Sequence, residues 1–175
     1  VEPEKGISAI RVVAEAIAAM PLGRIDEETT ANIGVISGGR ATNIVPDKVT
    51  IKGEARSRDE AKLASQTDAM VAALEHIAEL ADAEVDIEVT RAYEAYRLAE
   101  DDPVIELASA AMRSLGMTPR YKVTGGGSDA NVFNARGLRT AQISTGMREV
   151  HTTNENIAVE DMAAAAALLL ACATQ

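Results

Sequence analysis

Apolar residues in the first half of the chain recur with two different spacings. A spacing of three or four residues predicts an amphipathic helix, and alternation of apolar and polar residues predicts a half-buried strand. Pro21 and Gly23 interrupt the first pattern and mark the end of an element. The predicted elements are, in order, a helix over residues 7–17, strands over 30–37 and 49–56, a helix over 59–81 and a strand over 85–89.

The order helix, strand, strand, helix, strand is that of a split β-α-β-β-α-β fold without its first strand. The sequence starts at Val1 without an initiator methionine, at the point where that strand would end. We therefore expect a truncated or processed chain whose first module is ferredoxin-like and lacks its first, central strand. Because such a gap leaves unpaired backbone groups, we expect an upstream segment or another copy of the chain to fill it by strand addition.

The second half of the chain has a different pattern, which predicts an α/β fold with parallel strands. Residues 92–102 are predicted to be a linker, and Pro103 to open a helix that Gly116 ends. The later predicted elements are a strand over 120–124, a glycine turn, a short helix from Asp129, a strand over 140–144 and a final helix from Val159. The chain is therefore predicted to combine an α+β module with a separate α/β segment.

The composition is typical of a folded protein and argues against a nucleic-acid partner. Of the 175 residues, 47% are hydrophobic and 25% are charged. The net charge is −10, and neither runs of Lys or Arg nor stacking aromatic residues are present to hold a phosphate backbone. The longest apolar stretch, residues 162–173, is shorter than the roughly 20 residues that span a bilayer, so no membrane association is expected. The single cysteine, Cys172, favours a reducing compartment, so we expect a cytoplasmic protein.

A glycine-rich run, Thr124–Asn131, lies between a predicted strand and a predicted helix. Bare backbone amides and a helix N-terminus at such a junction can bind an anion. A substrate carboxylate is a reasonable ligand for such a run. A plain tight turn capped by Ser128 or Asp129 explains the run at least as well, and the spacing of a dinucleotide-binding glycine motif is absent.

The loop after the predicted strand 140–144 contains His151, with the carboxylate of Glu155 four residues later. Ligands of open α/β sheets gather at the carboxyl ends of strands, and a loop histidine there can offer a neutral ring nitrogen to zinc. A lone loop histidine is more often structural or solvated. The other histidine, His76, is interpreted as a packing residue because it falls on the apolar side of a predicted helix.

Two polar residues of the first module are candidates for substrate contacts. Asn43 lies in the loop between two predicted strands, and Arg56 lies on the polar face of the second strand. An amide and a guanidinium suit a substrate carboxylate or a peptide carbonyl. The structural alternative is that Asn43 bonds its own backbone and that Arg56 is an ordinary exposed charge.

Five separated motifs together resemble a known family. They are VEPEKGISA at residues 1–9, TNIVPD at 42–47, GEARS at 53–57, TGGGSDANVFNARG at 124–137 and TGMREVHTTNE at 145–155. In this order they resemble the two-zinc exopeptidases and deacylases, which include peptidase T, succinyl-diaminopimelate desuccinylase and glutamate carboxypeptidases. They are most similar to the peptidase T-like branch, and the match runs almost from end to end.

The resemblance implies a catalytic α/β domain that holds two zinc ions and an inserted, dimerising lid with a ferredoxin-like fold. It places the lid at residues 1–96 and the last part of the catalytic domain at residues 97–175. His151 matches the final metal ligand, and the general base and the other metal ligands would lie upstream of this chain, so no catalytic residue is assigned. The residues that match substrate or pocket contacts are Asn43, Arg56, Gly126, Gly127, Ser128 and Asp129.

The function that the resemblance implies is that of a zinc-dependent metallopeptidase, similar to a tripeptide aminopeptidase, that hydrolyses small peptides with metal-activated water. The complete enzyme would hold two zinc ions per subunit and form a homodimer through the lid. It would also need the missing N-terminal part of the catalytic domain, so this chain alone is expected to be inactive. The alternatives are an N-acyl amino acid deacylase of the same family and a non-catalytic dimerisation or ligand-binding module.

Overall fold

The computed structural model describes residues 2–174, which divide into two compact units, one ending at Thr90 and the other beginning at Arg91. The elements of the first unit are a short 3₁₀ helix (Pro3–Lys5), α1 (Ala9–Ala19), β1 (Gly23–Arg24), β2 (Thr30–Gly38), β3 (Val49–Arg56) and α2 (Glu60–Leu80). Those of the second unit are α3 (Pro103–Ser114), α4 (Asp129–Ala135) and α5 (Val159–Ala173). The predicted mixture of helices and strands is confirmed.

The first unit contains a three-stranded antiparallel sheet in the order β1-β2-β3. Its main ladder joins β2 to β3, and Ile36 lies opposite Ile51 in it. The register shifts between Ile33 and Val35, which leaves Gly34 as the extra residue of a bulge. Both strands of this hairpin were predicted, β3 from its alternating pattern, whereas the two-residue β1 was not.

Helices α1 and α2 pack against each other and against β3. Small side chains allow the close approach, since Ala16 and Ala78 are buried between these elements. Gly53 in β3 allows a close approach within the sheet, because a Cβ there would lie 2.6 Å from the Ile33 side chain and 2.9 Å from the backbone oxygen of Asn32 in β2. The core of this unit is therefore built from small and aliphatic residues rather than aromatic ones.

Acidic side chains set the starts of the two helices whose beginnings were predicted most clearly. Asp59 accepts a hydrogen bond of 3.0 Å from the backbone N–H of Lys62 at the start of α2. Asp102 accepts one of 3.3 Å from the N–H of Val104 at the start of α3. Each cap satisfies a backbone donor that the helix cannot pair internally. The predicted helix starts near Asp59 and at Pro103 are confirmed.

The loop between β1 and β2 is joined to α2 by ion pairs. Lys62 Nζ lies 2.7 Å from Glu28 Oε1 and 3.2 Å from Asp26 Oδ2. Asp26 also accepts hydrogen bonds of 2.8 Å from the backbone N–H groups of Glu28 and Thr29. The N–H of Glu28 above all, together with the Lys62 ammonium and Thr29, lowers the pKa of the Asp26 carboxyl to about 2. The loop therefore depends on a carboxylate that stays ionised well into the acid range.

Three predicted strands do not form in the described part of the chain, since residues 85–89, 120–124 and 140–144 belong to neither helix nor strand. A strand exists only through hydrogen bonds to a neighbouring strand, and an alternating pattern cannot supply that neighbour. In a ferredoxin-like order the first strand would lie between β3 and residues 85–89. Within residues 2–174, β3 pairs with β2 alone. The predicted third strand of the first module and the predicted parallel strands of the second half are therefore wrong for this chain.

The second unit packs α3 against α5. Ala111 on α3 is fully buried, and Asp102 at the start of the same helix forms a partly buried ion pair with Arg139. Asn134 on α4 holds the segment that follows, because its side chain donates to the oxygen of Thr140 at 2.8 Å and accepts from the N–H of Thr140 at 3.2 Å. Among the residues described in both units, no helix is long and apolar enough to cross a membrane.

Candidate functional site

His151 lies in a closed loop between residues 146 and 156. Arg148 and Asn156 exchange backbone hydrogen bonds of 2.9 and 3.2 Å, which close the base of the loop. Within it, Glu149 and His151 have φ angles of +51° and +68°, in the left-handed region that residues with a Cβ rarely adopt. His151 is exposed, and its backbone N–H donates a hydrogen bond of 2.7 Å to Glu155 Oε2. The imidazole is thus carried on an exposed but closely defined turn.

This loop is held at the start of α5 by Asp161. Arg148 Nη2 lies 3.7 Å from Asp161 Oδ2. Gly146 has a φ of +88° and approaches the same residue so closely that a Cβ would lie 3.0 Å from the Asp161 side chain. Glycine is the residue that combines a positive φ with such a close approach. Gly146 and Asp161 together therefore define where the His151 loop begins.

The imidazole of His151 fits the role of one zinc ligand, because histidine on an accessible loop can offer a ring nitrogen. A complete metal site requires several donors at one point. The residues described by the structure contain no group of three or more His, Cys, Asp or Glu side chains that could hold a metal ion. These residues therefore fit a single ligand and do not form a metal site by themselves.

The glycine-rich loop leads directly into α4. Gly126 N–H donates to Thr124 Oγ1 at 3.0 Å, and Ser128 N–H donates to Asn131 Oδ1 at 3.0 Å. Gly126 is exposed, and Asp129 is exposed as the first residue of α4. The chain bends at Gly125, where the sequence predicted a glycine turn, and the binding role of Gly126, Gly127, Ser128 and Asp129 stays a prediction.

Two residues that sequence reasoning missed hold this loop in place. Asn131 is buried, and its side chain donates a hydrogen bond of 2.8 Å to the backbone oxygen of Glu94. Tyr93 lies against Gly127, where a Cβ would collide with the tyrosine ring. The position of Asn131, three residues after Ser128, was a usable signal for a helix start. Tyr93 gave no signal, because its contact joins residues that are distant in sequence.

Asn43 and Arg56 lie toward opposite ends of the β2–β3 hairpin. Asn43 is exposed in the connecting loop, which joins β3 at Val49. Arg56 is the last residue of β3, and its Nη2 lies 2.9 Å from Glu54 Oε2. At about 3.3 Å per residue, β3 separates Val49 from Arg56 by roughly 23 Å. The structure therefore does not bring these two candidate residues together within one copy of the chain.

His76 is exposed on α2, so its interpretation as a packing residue is wrong. Successive residues of a helix are rotated by about 100° around its axis. His76 directly precedes Ile77, which is half-buried, and one step of rotation is enough to turn the imidazole toward solvent.

Residues 2–82 match the family model of the peptidase dimerisation domain of the M20 type. That span contains α1, the antiparallel sheet and α2. The match covers a little under half of the 175 residues. The hairpin that carries Asn43 and Arg56 lies within the matched span, in agreement with the dimerising lid that the motifs imply.

Three curated relatives resemble the chain in sequence. An uncharacterised protein of Bacillus subtilis, YqjE, is 43% identical over 171 residues, which is 98% of this chain and 46% of the relative. A peptidase T of Exiguobacterium sibiricum is 37% identical over 70 residues, 40% of this chain and 17% of the relative. A succinyl-diaminopimelate desuccinylase of Helicobacter hepaticus is 31% identical over 67 residues, 38% of this chain and 17% of the relative. The chain therefore spans at most about half the length of these relatives.

Solved structures of peptidases share the fold over almost the whole chain. The aminopeptidase PepT of Bacillus cereus is 48% identical with a TM-score of 0.81, over 98% of this chain and 46% of its own. A tripeptidase of Staphylococcus aureus is 34% identical with a TM-score of 0.87, over the same shares, 98% and 46%. The YXEP protein of Bacillus subtilis, a dinuclear metal binding M20 peptidase, is 17% identical with a TM-score of 0.65 over 95% and 46%, which shows likeness of fold alone. The predicted resemblance to the peptidase T-like branch is confirmed.

Proposed function

We propose that this chain is part of a zinc-dependent exopeptidase that hydrolyses small peptides. The observation that carries the proposal is the similarity, over 98% of the chain, to an aminopeptidase at 48% identity and a tripeptidase at 34% identity. Because the chain spans 46% of each of these proteins, the proposed activity is that of a longer polypeptide to which this chain contributes.

The proposed partners are a second copy of the chain and the rest of the catalytic domain. The match of residues 2–82 to a peptidase dimerisation domain supports a homodimer formed through this domain. Beyond residue 96, the chain is proposed to form the last part of the catalytic domain. The part of the relatives that this chain does not cover is proposed to supply the remainder.

His151 is proposed to be the one zinc ligand from this chain, in a site that holds two zinc ions per complete subunit. A bound pair of zinc ions lowers the pKa of water and polarises the scissile carbonyl. The exposure of His151 and its defined turn suit a ligand that meets donors from other parts of the protein. The general base and the remaining ligands are assigned to the polypeptide outside this chain.

Polar groups of both units are proposed to contact the peptide substrate. The guanidinium of Arg56 and the amide of Asn43 suit a carboxylate and a carbonyl, respectively. The loop over Gly126, Gly127, Ser128 and Asp129 is proposed to line the substrate pocket and to offer exposed backbone at Gly126, since Tyr93 occupies the Cβ side of Gly127 and Ser128 is half-buried. Asn43 and Arg56 lie too far apart to bind the same carboxylate or carbonyl group, so each is proposed to make its own contact.

A deacylase that removes the acyl group of an N-acyl amino acid is the second candidate function. The desuccinylase of Helicobacter hepaticus supports it, at 31% identity over 67 residues. Both reactions hydrolyse an amide next to a carboxylate-bearing fragment, so the described side chains suit either substrate. The matches to the aminopeptidase and the tripeptidase cover 98% of the chain, whereas the match to the desuccinylase covers 38%. This difference favours the peptidase.

The test is an assay of the complete polypeptide, loaded with zinc, against matched panels of tripeptides, dipeptides and N-acyl amino acids. The proposal predicts release of an N-terminal residue from tripeptides at the highest kcat/KM. Preferential deacylation would establish the second candidate instead. A dimer that binds no zinc and hydrolyses none of the three panels would establish the third possibility, a non-catalytic dimerisation or ligand-binding module.

The proposed location is the cytoplasm. Cys172 is the single cysteine of the sequence, and it is a free thiol at an intermediate degree of burial. A chain that carries a free thiol and no disulfide is typical of a reducing compartment.

A further inference from the structure

The backbone of His151 adopts a conformation that its own side chain disfavours. Its φ of +68° lies in the left-handed region, where a Cβ approaches the carbonyl oxygen that follows. Such a conformation persists only where the surrounding structure fixes it. Contacts within the loop must therefore hold His151 in this conformation.

One contact is a backbone turn, in which the N–H of Thr152 donates to the oxygen of Glu149 at 3.2 Å and His151 is the third of the four residues. The other is the carboxylate of Glu155. Its Oε2 accepts the backbone N–H of His151 at 2.7 Å, a short hydrogen bond to a charged acceptor. The backbone N–H of Glu155 donates to the oxygen of Thr152 at 3.2 Å, so Glu155 is itself held inside the turn. Within the described residues, no other side chain forms a hydrogen bond with His151.

The other side-chain bonds of the loop reinforce this turn and the frame around it. Thr152 Oγ1 donates to the oxygen of Glu149 at 2.7 Å and accepts from the N–H of Asn154 at 3.1 Å. Arg148 and Asn156 close the base of the loop through their backbones. Removing the Glu155 carboxylate would therefore free the N–H of His151 and leave the backbone turn alone to hold its φ, while the rest of the loop stays closed.

The direction of the imidazole follows from this peptide group, because the backbone conformation of a residue fixes the direction of its Cα–Cβ bond. A change of φ from the left-handed to the extended region would swing the ring to another side of the loop. We propose that Glu155 is a positioning residue that aims the His151 imidazole. This inference rests on the proposed function, in which that imidazole is a zinc ligand.

The closing experiment compares three variants of the complete polypeptide. Glu155→Ala removes the acceptor, Glu155→Gln keeps an acceptor oxygen at the same reach, and Asn154→Ala changes a neighbouring side chain for which the structure shows no hydrogen bond. Zinc affinity is measured by competition with a chelator. Backbone hydrogen exchange is measured by mass spectrometry on peptides that cover residues 148–156, and thermal stability is recorded for each variant.

We expect Glu155→Ala to exchange faster in this loop and to lose about tenfold to a hundredfold in zinc affinity, as is typical when a partner that orients a ligand is removed. Glu155→Gln should keep most of the zinc affinity and most of the exchange protection. Asn154→Ala should match the unmodified protein in both. Equal zinc affinity and equal exchange in Glu155→Ala would overturn the inference, as would a loss that Glu155→Gln does not recover.

His151→Ala separates this inference from the proposed function. If His151→Ala keeps full zinc affinity, the assignment of His151 as a ligand is wrong, whatever Glu155 does. If His151→Ala loses affinity while Glu155→Ala keeps both affinity and exchange protection, the ligand assignment stands and the positioning role of Glu155 is wrong.

Discussion

Arg56 lies opposite Thr30 in the β2–β3 ladder, at the end of the sheet away from the loop that holds Asn43. Two residues proposed to contact one substrate are thus separated by most of a strand. This separation rules out a direct interaction between the two side chains, so we expect their effects on kcat/KM to be nearly additive as free energies.

Replacement of either residue should lower kcat/KM for peptides and leave the zinc content unchanged. Arg56→Ala should lower kcat/KM of the complete enzyme by about tenfold or more, since it removes a charged hydrogen-bond partner, and Asn43→Ala by roughly twofold to tenfold. The double variant should show the product of the two effects. Lys52→Ala, on the same face of β3, is the control. An unchanged kcat/KM in both single variants would show that Asn43 and Arg56 have structural roles only.

Replacement of His151 should remove one zinc ligand. We expect His151→Ala to bind about one zinc ion per subunit in place of two and to lose activity by orders of magnitude, with the fold retained because the side chain is exposed. Metal analysis of the purified protein and a peptidase assay measure both effects. His76→Ala is a matched control, since it removes the other exposed histidine of the chain. Near-normal zinc content and rate in His151→Ala would show that the ligand is another residue.

The helices and the hairpin could be predicted because their signals are local. A capping carboxylate at Asp59, a proline at the first position of α3 and the alternation along β3 each depend on neighbours in sequence. The strand predicted at residues 85–89 failed for the opposite reason. Its alternation describes two faces, but a strand also needs a hydrogen-bonding neighbour, which no residue described here supplies.

The candidate site also combines features that local sequence predicts with contacts that it does not predict. The motif around His151 and the glycine-rich loop could be recognised as short sequences, and the structure places both on exposed loops. The supports of these loops were not predictable, because Tyr93 meets Gly127, and Asn131 meets Glu94, across long sequence separations. Glu155 was noticed beside His151, but its hydrogen bond to the His151 N–H depends on a left-handed turn that no residue pattern specifies.

The first unit should lose stability in acid through Asp26. Its pKa of about 2 in the folded chain is below the ordinary value of 3.8, so the ionised form stabilises the fold. That contribution is complete above the pKa of the unfolded chain and is lost as the pH falls from about 5 toward 2. Asp26→Asn should unfold more easily at pH 7 and lose less stability on acidification. Asp68→Asn, exposed on α2, is the control. An equal acid dependence in Asp26→Asn and the unmodified chain would contradict this account.

The 175-residue chain by itself should show no peptidase activity. The described residues offer no group of three or more donors for a metal ion, and one histidine cannot hold a pair of zinc ions. The measurement is turnover of a tripeptide by the purified chain with added zinc. A mock purification and the His151→Ala chain serve as controls for contaminating peptidases. Turnover that depends on His151 would mean that this chain contains a site that its side chains do not reveal.

The central claim is that this chain belongs to a zinc-dependent enzyme for small peptides. Its most direct test is the rate of tripeptide hydrolysis by the complete polypeptide before chelation, after chelation and after zinc is restored. The account predicts release of the N-terminal residue, loss of that activity with the metal, and its return when about two zinc ions per subunit are bound again. A zinc-loaded, correctly folded polypeptide that leaves every tripeptide intact, or one that hydrolyses them equally well without metal, would contradict it.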